Sequence, residues 1–355
     1  MKIVACGLQF SETGMPPYRE YQNWRIAMTM KEVAQIAGVS SAAVSRYING
    51  GPLSQEKRDR IRSAMQETGY QPDVAAQMLR TGITDHVGLI VPKIDSDAVN
   101  RFTAGATPAL AEAGFLTLLA NTENNSEKEL SYLSLYQNRQ VAGILMQATI
   151  LTPQLEDELR SIMIPIVVVG QQFRQITCVY HDDFGAAYEL TNLVLAKDRQ
   201  KLAYIGVTEQ DIAVGQNRRK GVQAAMKDYG MPPEALLTEI STFSVEGGRL
   251  AMEKLLAREP MVDGVICATD RIAFGAMDTL RKAGKRLPED VSVTGMDDHW
   301  AGEHITPHLT TAHFYYKTSG EKAARLLVEM IQNKGTPGPI HQIMLGYAIK
   351  NRDSV

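Results

Sequence analysis

The chain has 355 residues, of which 44% are hydrophobic and 22% charged, and its formal net charge is −3. This composition is typical of a globular protein with two or three domains. Cys6, Cys178 and Cys267 lie far apart, which argues against a disulfide framework or a zinc site and fits a reducing compartment. Neither a secretory apolar run nor a membrane span of ~20 residues occurs, so we expect a cytoplasmic protein.

Charge is unevenly distributed along the chain. Residues 28–82 carry seven Lys/Arg against five Asp/Glu, whereas residues 83–355 have a net charge of −6. Residues 28–82 are thus mildly basic, whereas residues 83–355 are acidic. This difference suggests that a polyanion would bind to residues 28–82. Residues 1–27 have no clear hydrophobic period, and we predict that they form a poorly ordered extension.

The first regular pattern predicts three short helices. Thr29 can cap a helix whose Glu32 stands three residues on, at the spacing of a capping box. Ser40 caps a second helix after a glycine turn, and Ser54 caps a third. Two short helices joined by such a turn are typical of a helix-turn-helix unit, which we place at residues 28–71.

Residues 72–86 are interpreted as a hinge and linker. Their Ala-rich stretch from Asp73 to Gly82 predicts a helix too short to be stable alone in water. We therefore expect this helix to fold only against a partner.

Beyond residue 86 the chain alternates between apolar strands and helices. Such runs indicate a parallel sheet covered on both faces. We predict an α/β fold of two Rossmann-like subdomains, residues 87–180 with 313–340 and residues 181–312 with 341–352. In such sheets ligands bind at the carboxyl ends of the strands. The eight predicted strands are residues 87–92, 116–121, 143–148, 165–170, 178–181, 201–206, 264–269 and 291–296.

Several motifs, in order, resemble the LacI family of bacterial transcription repressors between Thr29 and Arg352. They are TMKEVAQIAGVSSAAVSRYINGG, YQPDVAAQMLRTG, RRKGVQAAM, ICATDRIAFGAM and VSVTGMDD. The resemblance implies an all-α helix-turn-helix DNA-binding domain followed by two subdomains of the periplasmic-binding-protein type. It also implies a homodimer that binds a palindromic operator and responds to a small molecule, usually a sugar. Because three residues follow Arg352, we expect no tetramer-forming leucine zipper; whether the effector induces or co-represses stays open.

By this resemblance the second helix lies in the major groove with its N-terminal residues at the base edges. Arg46 is the expected guanine or phosphate contact, and Asn49 is expected to reach the backbone or adenine. Leu79 in the hinge would wedge between base steps in the minor groove. The small Ser41 and Ala42 leave the operator sequence undetermined. The predicted DNA contacts are Thr29, Ser40, Ser41, Ala42, Ser45, Arg46, Tyr47, Asn49 and Leu79.

The predicted effector contacts follow strand ends. Arg218 has the R-x-x-G spacing of the family's effector-gripping arginine, and a guanidinium with carboxylates suits sugar hydroxyls. Tyr316 and Phe173 are candidates to stack on a sugar face. The loop from Lys93 resembles that of sucrose and trehalose repressors, which respond to the phosphorylated disaccharide, and Lys93 would supply a point charge for phosphate. The predicted effector contacts are Lys93, Asp95, Ser96, Gln147, Phe173, Arg218, Asp270, Asp297 and Tyr316.

Other functions have less support in the sequence motifs. An enzyme is disfavoured because the sequence contains no P-loop, GxSxG, HExxH or GxGxxG motif. The His299–His304 spacing fits no zinc motif, and neither a metal nor a cofactor is predicted. A periplasmic sugar-binding protein would share the two-lobed fold but not the front unit. A regulator that answers to an unphosphorylated sugar, a purine or a phosphocarrier protein remains an open alternative.

Overall fold

The computed structural model describes residues 28–48, 50–70, 84–138, 141–150, 152–333 and 338–355. The chain divides into two compact units, residues 1–83 and 84–355. The predicted extension (residues 1–27), the hinge helix with Leu79, and Asn49 all lie outside the described residues.

The smaller unit contains three helices: α1 (Met30–Ile36), α2 (Ser41–Ile48) and α3 (Gln55–Thr68). The capping box predicted at Thr29 is confirmed, because the Thr29 side chain accepts from the Glu32 main-chain N–H while the Glu32 carboxylate accepts from that of Thr29 at 2.6 Å. Ser40 Oγ accepts from the Ala43 N–H at 3.2 Å. Ser54 stands at the N-cap of α3, but its side chain makes no capping hydrogen bond.

A small apolar core holds these helices together. Val33, Val44 and Ile61, one from each helix, are fully buried in it. Arg60 of α3 donates to the carbonyl oxygen of Gly38 at 2.6 Å, and Gly38 has a φ of +61° in the turn before α2. The core packing and this contact with the main chain together fix the orientation of α2 after the turn.

The larger unit contains two six-stranded sheets. The first has the order β11-β5-β4-β3-β1-β2 and the second β12-β10-β9-β8-β6-β7. All pairs are parallel except β10 with β12. The strands are β1 (His86–Val91), β2 (Leu116–Asn121), β3 (Gly143–Gln147), β4 (Ile166–Val169), β5 (Cys178–His181), β6 (Leu202–Gly206), β7 (Leu237–Ile240), β8 (Gly264–Cys267), β9 (Ser292–Met296), β10 (Thr310–Phe314), β11 (Gln342–Leu345) and β12 (Tyr347–Lys350).

Helices cover both sheets, as the continuous burial of their central strands requires. They are α4 (Asp97–Glu112), α5 (Ser126–Asn138), α6 (Pro153–Ser161), α7 (Asp183–Leu195), α8 (Arg218–Asp228), α9 (Val245–Arg258), α10 (Asp270–Lys282) and α11 (Tyr316–Gln332). Within the described residues, none of the helices has the length and apolar character that a membrane crossing would need.

All eight predicted strands are present, and four short strands were not predicted. The chain passes between the sheets at other points than expected, because β11 pairs with β5 in the first sheet and β12 with β10 in the second. Residues 342–345 therefore lie in the first sheet, although 341–352 was assigned as a whole to the second subdomain. Likewise, residues 313 and 314 end β10 in the second sheet rather than beginning the return to the first. Strand β11 was not predicted, because its four half-exposed residues are too few to show a hydrophobic period.

Candidate functional site

Helix α2 buries one face and presents its polar face to solvent. Ala43 and Val44 lie in the core of the smaller unit, whereas Ser41, Ala42 and Arg46 are exposed. The N-terminal residues of such a helix are those that reach base edges in a major groove. Ser41, Ala42 and Arg46 therefore share the accessible face of α2.

The other described residues among the predicted DNA contacts lie on or beside this helix. Thr29 and Ser40 are exposed cap residues of α1 and α2, and Ser45 is half-buried. The half-buried Tyr47 forms a hydrogen bond with Arg62 of α3, and this bond raises the pKa of Arg62. A hydroxyl and a guanidinium thus stand together beside α2, a pairing that sequence reasoning missed.

A polar cleft lies in the larger unit at the carboxyl ends of strands from both sheets, as expected for parallel α/β sheets. The structure brings six of the nine predicted effector residues together in its lining. They are Lys93, Ser96, Gln147, Arg218, Asp297 and Tyr316.

Arg218 is the central cation of the cleft and is only 3% exposed. Its Nε donates to Asp183 Oδ1 at 2.7 Å, and its Nη1 donates to the Ala268 carbonyl and lies 3.7 Å from Asp297 Oδ1. Its guanidinium carbon lies 4.8 Å from the centroid of the Phe314 ring. Burial disfavours the charged form, yet the two carboxylates raise the pKa of Arg218, so it stays protonated.

Asp297 is held in an unusual backbone conformation, with a φ of +123° directly after β9. The Tyr316 hydroxyl donates to its Oδ1 at 2.7 Å, and Arg101 donates to its carbonyl oxygen. Burial raises the pKa of Asp297, although the nearby Arg218 opposes this change. Strain of this kind persists where surrounding contacts hold it, here with the carboxylate in the cleft.

The rim of the cleft carries an excess of positive charge. Lys93 Nζ lies 3.3 Å from Asp95 Oδ2, and Arg271 Nη1 lies 4.0 Å from the same oxygen. Lys93 and Arg271 line the cleft, whereas Asp95 does not belong to its lining. Two cations and one carboxylate give this rim a net positive charge.

Three predicted effector residues, Asp95, Phe173 and Asp270, lie outside the cleft lining. Phe173 packs in a buried core against the first sheet, so its ring cannot stack on a ligand in the cleft. Asp270 is fully buried and accepts from Thr311 Oγ1 at 2.6 Å and from the His299 N–H at 2.7 Å. Burial raises the pKa of Asp270 to about 7. These bonds connect α10 with β10 and the loop after β9, which is a structural role.

Sequence reasoning also missed a polar link between the two subdomains. Gln171, which follows β4, donates to Asp211 Oδ1 at 2.7 Å and accepts from the Ala213 N–H at 3.1 Å. Burial raises the pKa of Asp211 to about 6. Gln171 and the cleft residue His181 could both have been identified from the sequence, because each lies at the carboxyl end of a predicted strand.

Comparisons with known proteins agree with both units. Residues 29–73 match the family described as bacterial regulatory proteins, lacI family, and residues 192–355 match the periplasmic binding protein-like domain. The HTH-type transcriptional regulator CelR of Thermobifida fusca is 32% identical over 320 residues, which cover 87% of this chain and 93% of that protein. The sucrose operon repressor of Staphylococcus xylosus is 29% identical over 303 residues, which cover 85% and 93%.

A solved structure extends these similarities to the fold. The transcriptional regulator CelR–cellobiose complex aligns with a TM-score of 0.70 and 28% identity, covering 92% of this chain and 100% of that one. A helix-turn-helix unit followed in one chain by a two-sheet ligand-binding unit defines a DNA-binding transcriptional regulator. The chain belongs to the LacI family, as its motifs predicted.

Proposed function

We propose that the protein represses genes of carbohydrate uptake or catabolism by binding a palindromic operator as a homodimer, under the control of a phosphorylated disaccharide such as sucrose- or trehalose-6-phosphate. The observation that carries this proposal is the cationic rim of Lys93 and Arg271 beside a polar floor built around Arg218 and Asp297. Two relatives are named for disaccharides, the sucrose operon repressor and the CelR–cellobiose complex.

The chemistry of the cleft suits the two parts of such a ligand. Carboxylates and a guanidinium form charge-assisted hydrogen bonds with sugar hydroxyls, and the Tyr316 side chain offers a flat apolar face. At the rim, Lys93 would act as a point charge for phosphate and Arg271 as a planar fork. A neutral sugar can hydrogen-bond to Lys93 and Arg271 but brings no charge that neutralises theirs.

Exposed apolar residues support the homodimer. Leu116, Leu118 and Leu119 are between 40% and 59% exposed on β2, which is the edge strand of the first sheet. An apolar edge of this kind invites pairing with another chain. A symmetric dimer would place two recognition helices on the two halves of a palindromic operator.

Calorimetric titration with free and phosphorylated sucrose and trehalose tests the effector. We expect the phosphorylated form to bind more tightly, and Lys93→Gln to weaken its binding by about tenfold without affecting the free sugar. The matched control is Lys282→Gln, because Lys282 is also exposed and paired with a carboxylate, Asp278 at 2.7 Å, but does not line the cleft. Equal affinity of the wild type for free and phosphorylated sugar would remove the phosphate from the proposal, and binding of a purine base alone would replace the sugar.

A gel shift tests the DNA interface, using duplexes that the wild-type protein selects from a random pool. Arg46→Ala should abolish the shift while leaving effector affinity intact, because Arg46 is exposed on α2. Lys282→Ala removes the same charge from the larger unit and should leave the shift unchanged. Equal retention of DNA by both variants would show that α2 is not the reading helix.

A further inference from the structure

Two buried polar atoms in the cleft lack hydrogen-bond partners among the described residues. They are Nε2 of His181, a residue only 7% exposed, and Oε1 of Gln147. Both side chains line the cleft. A buried polar atom left unpaired is costly, so a ligand that supplies the missing partners gains affinity.

The other buried polar groups of the cleft are already paired. Gln171 is bonded to Asp211, and Arg218 is bonded to Asp183. A ligand that bonded to these groups would have to compete with existing partners. The largest gain is therefore available at His181 and Gln147.

Gln147 and His181 lie on two strands of the first sheet that are separated by one strand, β4. Gln147 on β3 is level with Val169 on β4, which is level with Val179 on β5, and His181 lies two residues further along β5. Two strand spacings and the two-residue offset along β5 together separate their main chains by about 12 Å. Between them, directly after β4, lies Gly170, which lines the cleft without a side chain.

The state of the His181 ring decides what it can bind. The ring lies 5.3 Å from the Phe314 ring and 5.1 Å from the Tyr316 ring, centroid to centroid. Burial lowers the pKa of His181 to about 4, and a bond with the Tyr315 main chain partly offsets this. The ring is therefore neutral near pH 7, and because Nε2 is unpaired, the ring proton belongs on Nδ1, directed at the Tyr315 carbonyl. Nε2 then accepts a hydrogen bond, as Gln147 Oε1 does.

We propose that His181 Nε2 and Gln147 Oε1 each accept a hydrogen bond from a hydroxyl group of the same sugar ring and thereby determine which sugar the protein recognises. This inference rests on the proposed function, since it takes the effector to be a sugar. It adds His181 as a specificity-determining residue and gives Gln147 a defined role as an acceptor.

Calorimetric titration of the full chain tests the pair with sucrose, trehalose, cellobiose and their 6-phosphates. For the sugar that binds the wild type, His181→Phe and Gln147→Met should each weaken binding by about tenfold or more, because each removes one acceptor. His181→Gln restores an acceptor and should recover part of the loss. Gln200→Met, which alters an exposed glutamine outside the cleft, should change nothing.

Two further measurements separate recognition from a merely structural role. Ligand-free Gln147→Met should melt at the same temperature as the wild type or higher, because it removes an unpaired buried atom. Among singly deoxygenated analogues of the bound sugar, one should bind the wild type and His181→Phe equally. If His181→Phe and Gln147→Met both bound that sugar as tightly as the wild type does, the inference would be overturned and the proposed function would stand. Failure of the wild type to bind any of these sugars would overturn both.

Discussion

Replacing Arg218 with methionine tests whether the ion pair beneath the cleft holds the larger unit together. The change removes the bond to Asp183 at 2.7 Å and the charge 3.7 Å from Asp297, while keeping an unbranched apolar stem. Both carboxylates then remain in a largely buried site without their cation. We expect a substantial loss of folding free energy.

The magnitude follows from the burial of the pair. Removing one partner of a buried ion pair typically costs about 3–5 kcal/mol, because the remaining charge stays buried. For a unit of this size 1 kcal/mol lowers the melting temperature by about 2–4 °C, so the expected decrease is on the order of 10 °C. Without the cation, the pKa of Asp297, which burial raises and Arg218 lowers, should rise further. The folded variant then binds protons that the unfolded chain releases, so its loss of stability is smaller at pH 5 than at pH 8.

Scanning calorimetry of the full chain at both pH values measures this loss in the transition of the larger unit. The control is Arg286→Met, which removes the same charge from an exposed pair with Asp290 and should lower the melting temperature far less, because solvent screens an exposed pair. Adding Asp183→Asn to Arg218→Met should recover part of the loss. Equal melting temperatures for the two single variants would refute the reasoning, and so would an Arg218→Met deficit that is greater at pH 5.

Three further predictions concern a helix cap, a glycine contact and a buried carboxyl group. Thr29→Ala removes the capping bond of α1 and should cost about 1 kcal/mol, which speeds amide hydrogen exchange in that helix roughly fivefold. Gly105→Ala places a Cβ against a main-chain oxygen at the start of α11 and should cost about 1–3 kcal/mol, seen as a lower melting temperature. Asp211→Asn should remove a pH dependence of stability. Burial raises the pKa of Asp211 from 3.8 to about 6, so the stability of the wild type falls as pH rises through that range. Urea titrations at a pH below 3.8 and at a pH above 6 measure this fall.

Matched changes control these experiments. Ser54→Ala alters a helix cap that makes no side-chain capping bond and should leave exchange in α3 unchanged. Gly338→Ala adds a methyl group into open space and should not lower the melting temperature. A Thr29 variant that exchanges like wild type, or parallel pH slopes for wild type and Asp211→Asn, would contradict the corresponding prediction.

Local signals predicted most of the fold. The Thr29–Glu32 capping box is a contact within four residues, and the central strands of both sheets are continuous apolar runs because they are buried on two faces. Strand β11 escaped prediction because it is short, half-exposed and recognisable only by its pairing with β5. A strand defined by its neighbour leaves little trace in its own residues.

The sequence by itself determined the family, the helix-turn-helix unit and the cleft arginine, because these depend on caps, apolar periods and motifs that lie within short segments. Only the tertiary structure decided which polar side chains meet in the cleft. It buried Phe173 in a core, gave Asp270 its own partners, and brought His181 beside residues more than a hundred positions away. The burial and the hydrogen bonds of a side chain depend on strands that are distant in the sequence. A short segment therefore does not show which polar atoms lack a partner in the protein and can bind a ligand.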